Sequence, residues 1–139
     1  MTTTYIAVVS GAFPTNDDYL ATEITAPSTK TIKIKRIRIT QDDGTQTVTA
    51  DAFKSVSFII ESVAGTNGTS FTPISLDGNA PAATSTVKIG PMTKGTVATT
   101  INTLSIHSGT DYFWQAADED DKIVLTPSSI FGVVINPAA

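Results

Sequence analysis

The clearest pattern of hydrophobic and polar positions lies in residues 30–40, where isoleucines alternate with basic side chains. This two-residue period predicts a β-strand, and the Cβ-branched isoleucine and threonine favour a pleated sheet over a helix. The first two isoleucines share one parity, whereas Ile37 and Ile39 share the other. We therefore predict a bulge near Lys35 and Arg36 that restores one apolar face. With that bulge, four isoleucines face the core: Ile32, Ile34, Ile37 and Ile39.

Shorter runs of the same kind recur along the chain, separated by Gly, Pro, Asn and Asp. Beyond the first strand, we predict strands at residues 45–49, 54–62, 86–89, 97–106, 112–114, 123–125 and 131–135. Residues 54–62 carry apolar side chains on both parities, which predicts a central strand covered on both faces. No helical period is convincing, so the pattern predicts an all-β fold, a jelly-roll-like β-sandwich of about eight short antiparallel strands.

The first part of the chain is predicted to be distinct from this domain. We divide the sequence into an N-terminal arm with a first strand, residues 1–29, and a β-sandwich domain, residues 30–139. Residues 5–9 predict a short strand or arm, and residues 19–24 a short strand or one helical turn. The pattern leaves open whether the arm joins its own sheet or that of a neighbouring subunit. We expect no export signal and no membrane segment, because no apolar run approaches the required length.

Composition narrows the function classes. The 139 residues include no cysteine, which excludes disulfides, thiolate metal sites and a cysteine nucleophile. Only 16% of the residues are charged, against about 25% in an average domain. The net charge of -4 argues against nucleic-acid binding, which is usually associated with a basic excess.

Candidate chemistry is sparse. His107 is the only histidine, and no Gly-x-Ser-x-Gly motif accompanies it, so we predict no catalytic residue. The acidic run at residues 118–121 has carboxylates that suit Ca²⁺, but it lacks the spacing of a calcium loop and is typical of a solvated loop. Whether it binds an ion stays open at this point. We predict no metal site and no cofactor.

The first strand also concentrates positive charge, since five of the nine Lys and Arg residues lie in residues 30–38. One interpretation is a solvated edge strand, where lysine blocks unwanted pairing. The other is a docking face for an acidic protein surface or for the acidic loop of a neighbouring subunit. Nucleic acid is disfavoured, because the interleaved aromatics of single-strand binders are missing. The candidate docking residues are Lys33, Lys35, Arg36 and Arg38.

Several motifs after residue 30 suggest a family. They are Glu61-Ser62 at a strand end, Gly-Thr-Asn-Gly-Thr at 65–69, Thr-Pro-Ile-Ser-Leu-Asp at 72–77, Ala-Pro-Ala-Ala at 80–83, Trp114, Ile-Val-Leu-Thr-Pro at 123–127 and Gly-Val-Val-Ile at 132–135. This pattern resembles the capsid decoration, or cement, proteins of tailed bacteriophages. The chain departs from it at residues 128–131, where such proteins often have a glycine-rich turn.

The resemblance implies a jelly roll that assembles as a homotrimer on the outer capsid surface, with the major capsid protein as its partner. We therefore expect a non-enzymatic virion protein, made in the cytoplasm of the host bacterium, that stabilises the capsid. The alternative is a receptor- or glycan-binding module of a virion fibre or spike. Trp114 and Phe131 are candidate anchors of the oligomer interface, because aromatic anchors are typical of interface centres, although either could lie in the monomer core.

Overall fold

The structure is a computed structural model that describes residues 4–8, 19–40, 53–107 and 111–137. These residues form strands and turns and contain no helix, so the all-β prediction is confirmed. The described part holds twelve strands where about eight were expected, partly because the isoleucine-rich segment at residues 30–40 forms two strands. Its strands are β1 (Tyr5–Ile6), β2 (Tyr19–Thr25), β3 (Ile32–Ile34), β4 (Arg36–Ile39), β5 (Phe53–Val63), β6 (Thr69–Phe71), β7 (Ile74–Ser75), β8 (Thr86–Met92), β9 (Thr96–His107), β10 (Tyr112–Gln115), β11 (Ile123–Leu125) and β12 (Ile130–Pro137). The strand predicted at residues 45–49 lies outside the described residues.

Six of these strands form one antiparallel sheet in the order β6-β8-β2-β12-β5-β9. β2 lies between β8 and β12, so residues 19–25 form a strand rather than a helical turn. They pair with a strand on each side, and the division of the chain at residue 30 stays a prediction. β1 pairs with β7 of the same chain, through Tyr5 opposite Ser75 and Ile6 opposite Ile74.

The isoleucine-rich segment divides into β3 and β4 at Lys35. β3 pairs with β11 and β4 pairs with β10, and the Ala116 N–H donates a hydrogen bond to the Lys35 carbonyl oxygen at 3.0 Å. The segment is thus two short strands separated by one residue rather than one bulged strand. The predicted consequence is confirmed, because all four isoleucines are partly buried and pack against the same core.

Two small ladders, β3 with β11 and β4 with β10, form a second layer over one face of the six-stranded sheet. The main core lies between this second layer and the sheet, in a sandwich-like arrangement. Phe58 of β5 is at its centre, with ring centroids of Tyr112, Trp114 and Phe131 at 5.9, 6.1 and 5.9 Å. Aromatic rings at these separations and tilted angles contribute packing beyond the area they bury. The second layer is therefore attached to the sheet mainly through aromatic and isoleucine side chains.

The opposite face of the sheet carries a smaller apolar cluster, formed by Leu20, Ile59, Met92 and Val134. Ile59 is 2% exposed and Phe58, its neighbour on the other face, is also 2% exposed. β5 is therefore buried on both faces in its middle, as predicted. Strand β8 continues through Gly90 and Pro91 to Met92, three residues beyond its predicted end.

Candidate functional site

The outward face of the two small ladders carries the predicted docking residues. Strand alternation turns the isoleucines of β3 and β4 toward the core and their basic neighbours toward solvent. Phe113 lies opposite Arg38 and Val124 lies opposite Lys33, with 53% and 50% of their surfaces exposed. We refer to this surface as the basic face; its residues are Lys33, Lys35, Arg36, Arg38, Phe113 and Val124.

Part of the charge on the basic face is neutralised within the chain. Lys33 Nζ lies 2.6 Å from Glu119 Oε1, and Lys122 forms an ion pair with the same carboxylate. Partial desolvation, together with the nearby positive charges of Lys35 and Lys33, lowers the pKa of Lys122. Two ammonium groups therefore share one carboxylate, and the acidic run reaches the basic strand of its own chain.

The three remaining cations of the basic face, Lys35, Arg36 and Arg38, have different surroundings. The Arg36 guanidinium lies over the Phe113 ring, with its carbon 5.7 Å from the ring centroid. This cation–π contact holds the aromatic ring and the charge side by side on the surface. Among the described residues, neither Arg36 nor Lys35 forms an ion pair with a carboxylate, whereas Arg38 lies 3.6 Å from Asp111. The charge available for an external partner is thus concentrated at Lys35 and Arg36.

The predicted interface anchors lie elsewhere. Phe131 is 1% exposed in the single chain and packs between β2, β5 and the second layer. It offers no surface for the predicted oligomer contact, because its ring is already enclosed by its own chain. Trp114 is partly buried and makes an edge-on contact with Phe58. Its interface role stays a prediction.

The other candidate groups show little chemistry. In the acidic run, Asp118 Oδ1 accepts hydrogen bonds from the backbone N–H groups of Asp120 and Asp121 at 2.8 and 3.2 Å, which is a local turn. No cluster of three or more potential metal-ligating side chains occurs within the described ranges. His107 ends β9, and its side chain lies outside the described part. Within residues 4–8, 19–40, 53–107 and 111–137, no helix is long and apolar enough to cross a membrane.

Comparison with known proteins adds no assignment: the chain matches no protein-family profile, no curated protein and no solved structure.

Sequence reasoning missed the most unusual pair of side chains. Glu23 and Glu61 are 1% and 4% exposed, and carboxyl groups are seldom so deeply buried. A signal was present in β5, because Glu61 is two residues from the buried Ile59 and so shares its face. No local pattern indicated that Glu23 would lie on the same face of the sheet.

Proposed function

We propose that this chain is a structural virion protein, a trimeric decoration protein that binds and stabilises the outer surface of a phage capsid. Its fold within this proposal is a jelly roll, and its partner is the major capsid protein. The motifs after residue 30 support the family, and the basic face supports the mode of attachment.

The observation that carries the proposal is the composition of the basic face. Arg36 and Phe113 are residue types enriched at protein interfaces, and here they lie in contact on short strands that pack on the core. Val124 adds a second exposed apolar side chain on the same surface. An apolar contact surrounded by cations suits an acidic protein surface, because opposite charges steer the encounter and apolar burial retains it.

The charge distribution also favours one orientation. The whole chain carries a net charge of -4, whereas the basic face groups four cations on one side of the second layer. Such an asymmetric distribution orients a protein as it approaches an acidic partner. In a trimer, three copies of the basic face would engage neighbouring capsid subunits together, so that individually weak contacts gain strength through effective concentration. The role is mechanical reinforcement, without a chemical reaction.

The test measures binding to undecorated capsids of the phage that encodes the chain, by co-sedimentation over a series of salt concentrations. The variant Lys35→Gln with Arg36→Gln removes the two cations that have no carboxylate partner in the described part. We expect weaker association and a smaller salt dependence, because the removed charges no longer attract the partner across solvent. The far-ultraviolet circular dichroism spectrum should stay that of a sheet protein.

Lys30→Gln is the control, because Lys30 is exposed and precedes β3. Lys30→Gln removes one positive charge from a position outside the basic face, and we expect wild-type binding. The single variant Lys35→Gln, which removes one charge from the basic face, is its matched comparison. Equal binding of wild type and the double variant at every salt concentration would reject the basic face as the docking surface. A monomeric mass by light scattering at micromolar concentration would reject the trimer and favour a single-copy receptor- or glycan-binding module.

A further inference from the structure

Glu23 and Glu61 come from strands that are not neighbours. β2 and β5 flank β12, and adjacent strands lie about 4.8 Å apart, so the two backbones are separated by roughly 10 Å. Each glutamate must reach over β12 from its own side. Gly132 lies opposite Glu23 in the ladder, and Leu20 and Ile59 pack over it. The length of the glutamate side chains allows the two carboxyl groups to approach each other.

In each glutamate of the pair, one carboxyl oxygen has a hydrogen-bond donor in the described part of the chain and the other has none. The Gly65 N–H donates to Glu23 Oε2 at 2.6 Å, and the Gly95 N–H donates to Glu61 Oε1 at 2.9 Å. Glu23 is one of the groups that raise the pKa of Glu61, so the two carboxyl groups lie close together. The second oxygens, Glu23 Oε1 and Glu61 Oε2, are buried and have no hydrogen-bond partner among the described residues. A hydrogen bond between two carboxyl groups requires a proton on one of them, so these oxygens define a site for one proton.

The surrounding charges do not replace that proton. Lys88 of β8 has its Nζ 3.6 Å from Glu23 Oε1, which is beyond normal hydrogen-bonding distance. Lys94, in the turn between β8 and β9, is the other charged group of the described part that acts on the pair. Burial is the largest cause that raises the pKa of Glu61 to about 7; Glu23 acts in the same direction, and the Gly95 N–H and Lys94 oppose the shift. Two buried carboxyl groups in contact cannot both ionise cheaply.

The pair is attached to two loops. Gly65 belongs to the β5–β6 loop and Gly95 to the β8–β9 turn, and Thr66 and Thr93 join these segments through two backbone hydrogen bonds of 3.0 Å each. Gly65 also packs closely on Leu20, since a Cβ added there would lie 2.8 Å from Leu20 Cδ2. The closed β5–β6 loop therefore covers part of the smaller apolar cluster.

We propose that Glu23 and Glu61 bind a single proton between them and that this shared proton holds the β5–β6 loop and the β8–β9 turn closed over the sheet. The closed state is favoured in acid and weakens as the pH rises toward neutrality. The inference is independent of capsid binding, because the pair lies on the face of the sheet opposite to the second layer.

The direction of the pH dependence of loop closure follows from proton linkage. Glu61 titrates near 7 when the loops are closed, against an ordinary value of 4.5 when they are open and the carboxyl is hydrated. A raised value in the closed state means that closure takes up a proton, so its advantage is complete below pH 4.5 and is lost as the pH rises through about 7. Within that window the ratio of closed to open molecules falls by up to about tenfold per pH unit, and above it the ratio levels off.

The first test is amide hydrogen exchange at Gly65 and Gly95 by NMR, with rates corrected for base catalysis. We expect the protection of both amides to fall by up to about tenfold per pH unit across this window. In Glu61→Gln, the side-chain oxygen can still accept from Gly95 and the amide N–H can donate to Glu23 without a proton. This variant should keep both amides protected at every pH. Glu119→Gln, at an exposed glutamate outside the pair, should behave as wild type.

A second measurement serves if Glu61→Gln does not fold. The chain has three glutamates, Glu23, Glu61 and Glu119, so selective carbon-13 labelling gives three carboxyl signals. One titration midpoint near 7 that belongs to the coupled pair supports the shared proton. Three midpoints below about 5 would overturn it, and so would wild-type pH dependence of exchange in Glu61→Gln.

Discussion

Replacing Phe131 by alanine tests whether this ring holds the two layers of one chain together or anchors a second copy. Phe131 is 1% exposed, and its ring centroid lies 5.9 Å from that of Phe58 at an interplanar angle of 51°. Truncation to alanine removes the ring from a core that the second layer closes on the other side. β12 is paired with β2 on one side and with β5 on the other, so these strands cannot move far into the cavity left by the ring.

The expected cost is large for a domain of this size. Phe→Ala at a buried position typically lowers the free energy of unfolding by about 3–5 kcal/mol, from lost burial and from the cavity that remains. Single domains are stable by about 5–15 kcal/mol, so the variant loses a substantial part of its stability. With about 3–5 °C per kcal/mol for a chain of intermediate length, the melting temperature should fall by roughly 10–25 °C.

The assay is urea unfolding followed by circular dichroism, with the oligomeric mass measured by light scattering in parallel. Phe113→Ala is the matched control, because Phe113 is 53% exposed and loses only the contact with Arg36. We expect a loss of no more than about 1 kcal/mol there. A loss below about 1 kcal/mol in Phe131→Ala, accompanied by a smaller mass, would refute the core assignment and restore Phe131 as an interface anchor.

Two further predictions concern the central strand β2. Gly90→Ala should lower the free energy of unfolding by about 1–3 kcal/mol in urea titration, because the new Cβ would press on the backbone oxygens of Leu20 and Ala21. Gly78→Ala is the control and should be nearly neutral, because an added Cβ there meets nothing within 4 Å. Equal effects of the two substitutions would contradict the close packing of β8 on β2. Burial raises the pKa of Tyr19 to about 12, so its contribution to stability should be complete below pH 10 and lost as the pH rises toward 12. The difference between ultraviolet titrations of wild type and Tyr19→Phe measures this value, and a midpoint near 10 would show that the phenol is hydrated in the folded chain.

Local patterns determined the class of the fold and the facing of individual strands. The change of parity between Ile34 and Ile37 predicted an interruption that places all four isoleucines on the core, because side-chain direction within each strand alternates residue by residue. The two apolar parities of β5 likewise predicted burial on both faces, which Phe58 and Ile59 show. The outward direction of Lys33 and Arg38 follows from the same alternation, which predicted only one of Lys35 and Arg36 on the outer face. The break between β3 and β4 at Lys35 leaves both of them exposed.

Strand partners were decided only by the tertiary structure. β3 pairs with β11 and β4 with β10, and these contacts join segments more than seventy residues apart, for which the chain carries no local signal. The same is true of Phe131, whose place in the core depends on a second layer closing over it. Glu23 and Glu61 became a pair only because the sheet order places their strands on either side of β12. Periodicity tells which way a side chain points, but the neighbour it meets depends on sheet order, which long-range packing sets.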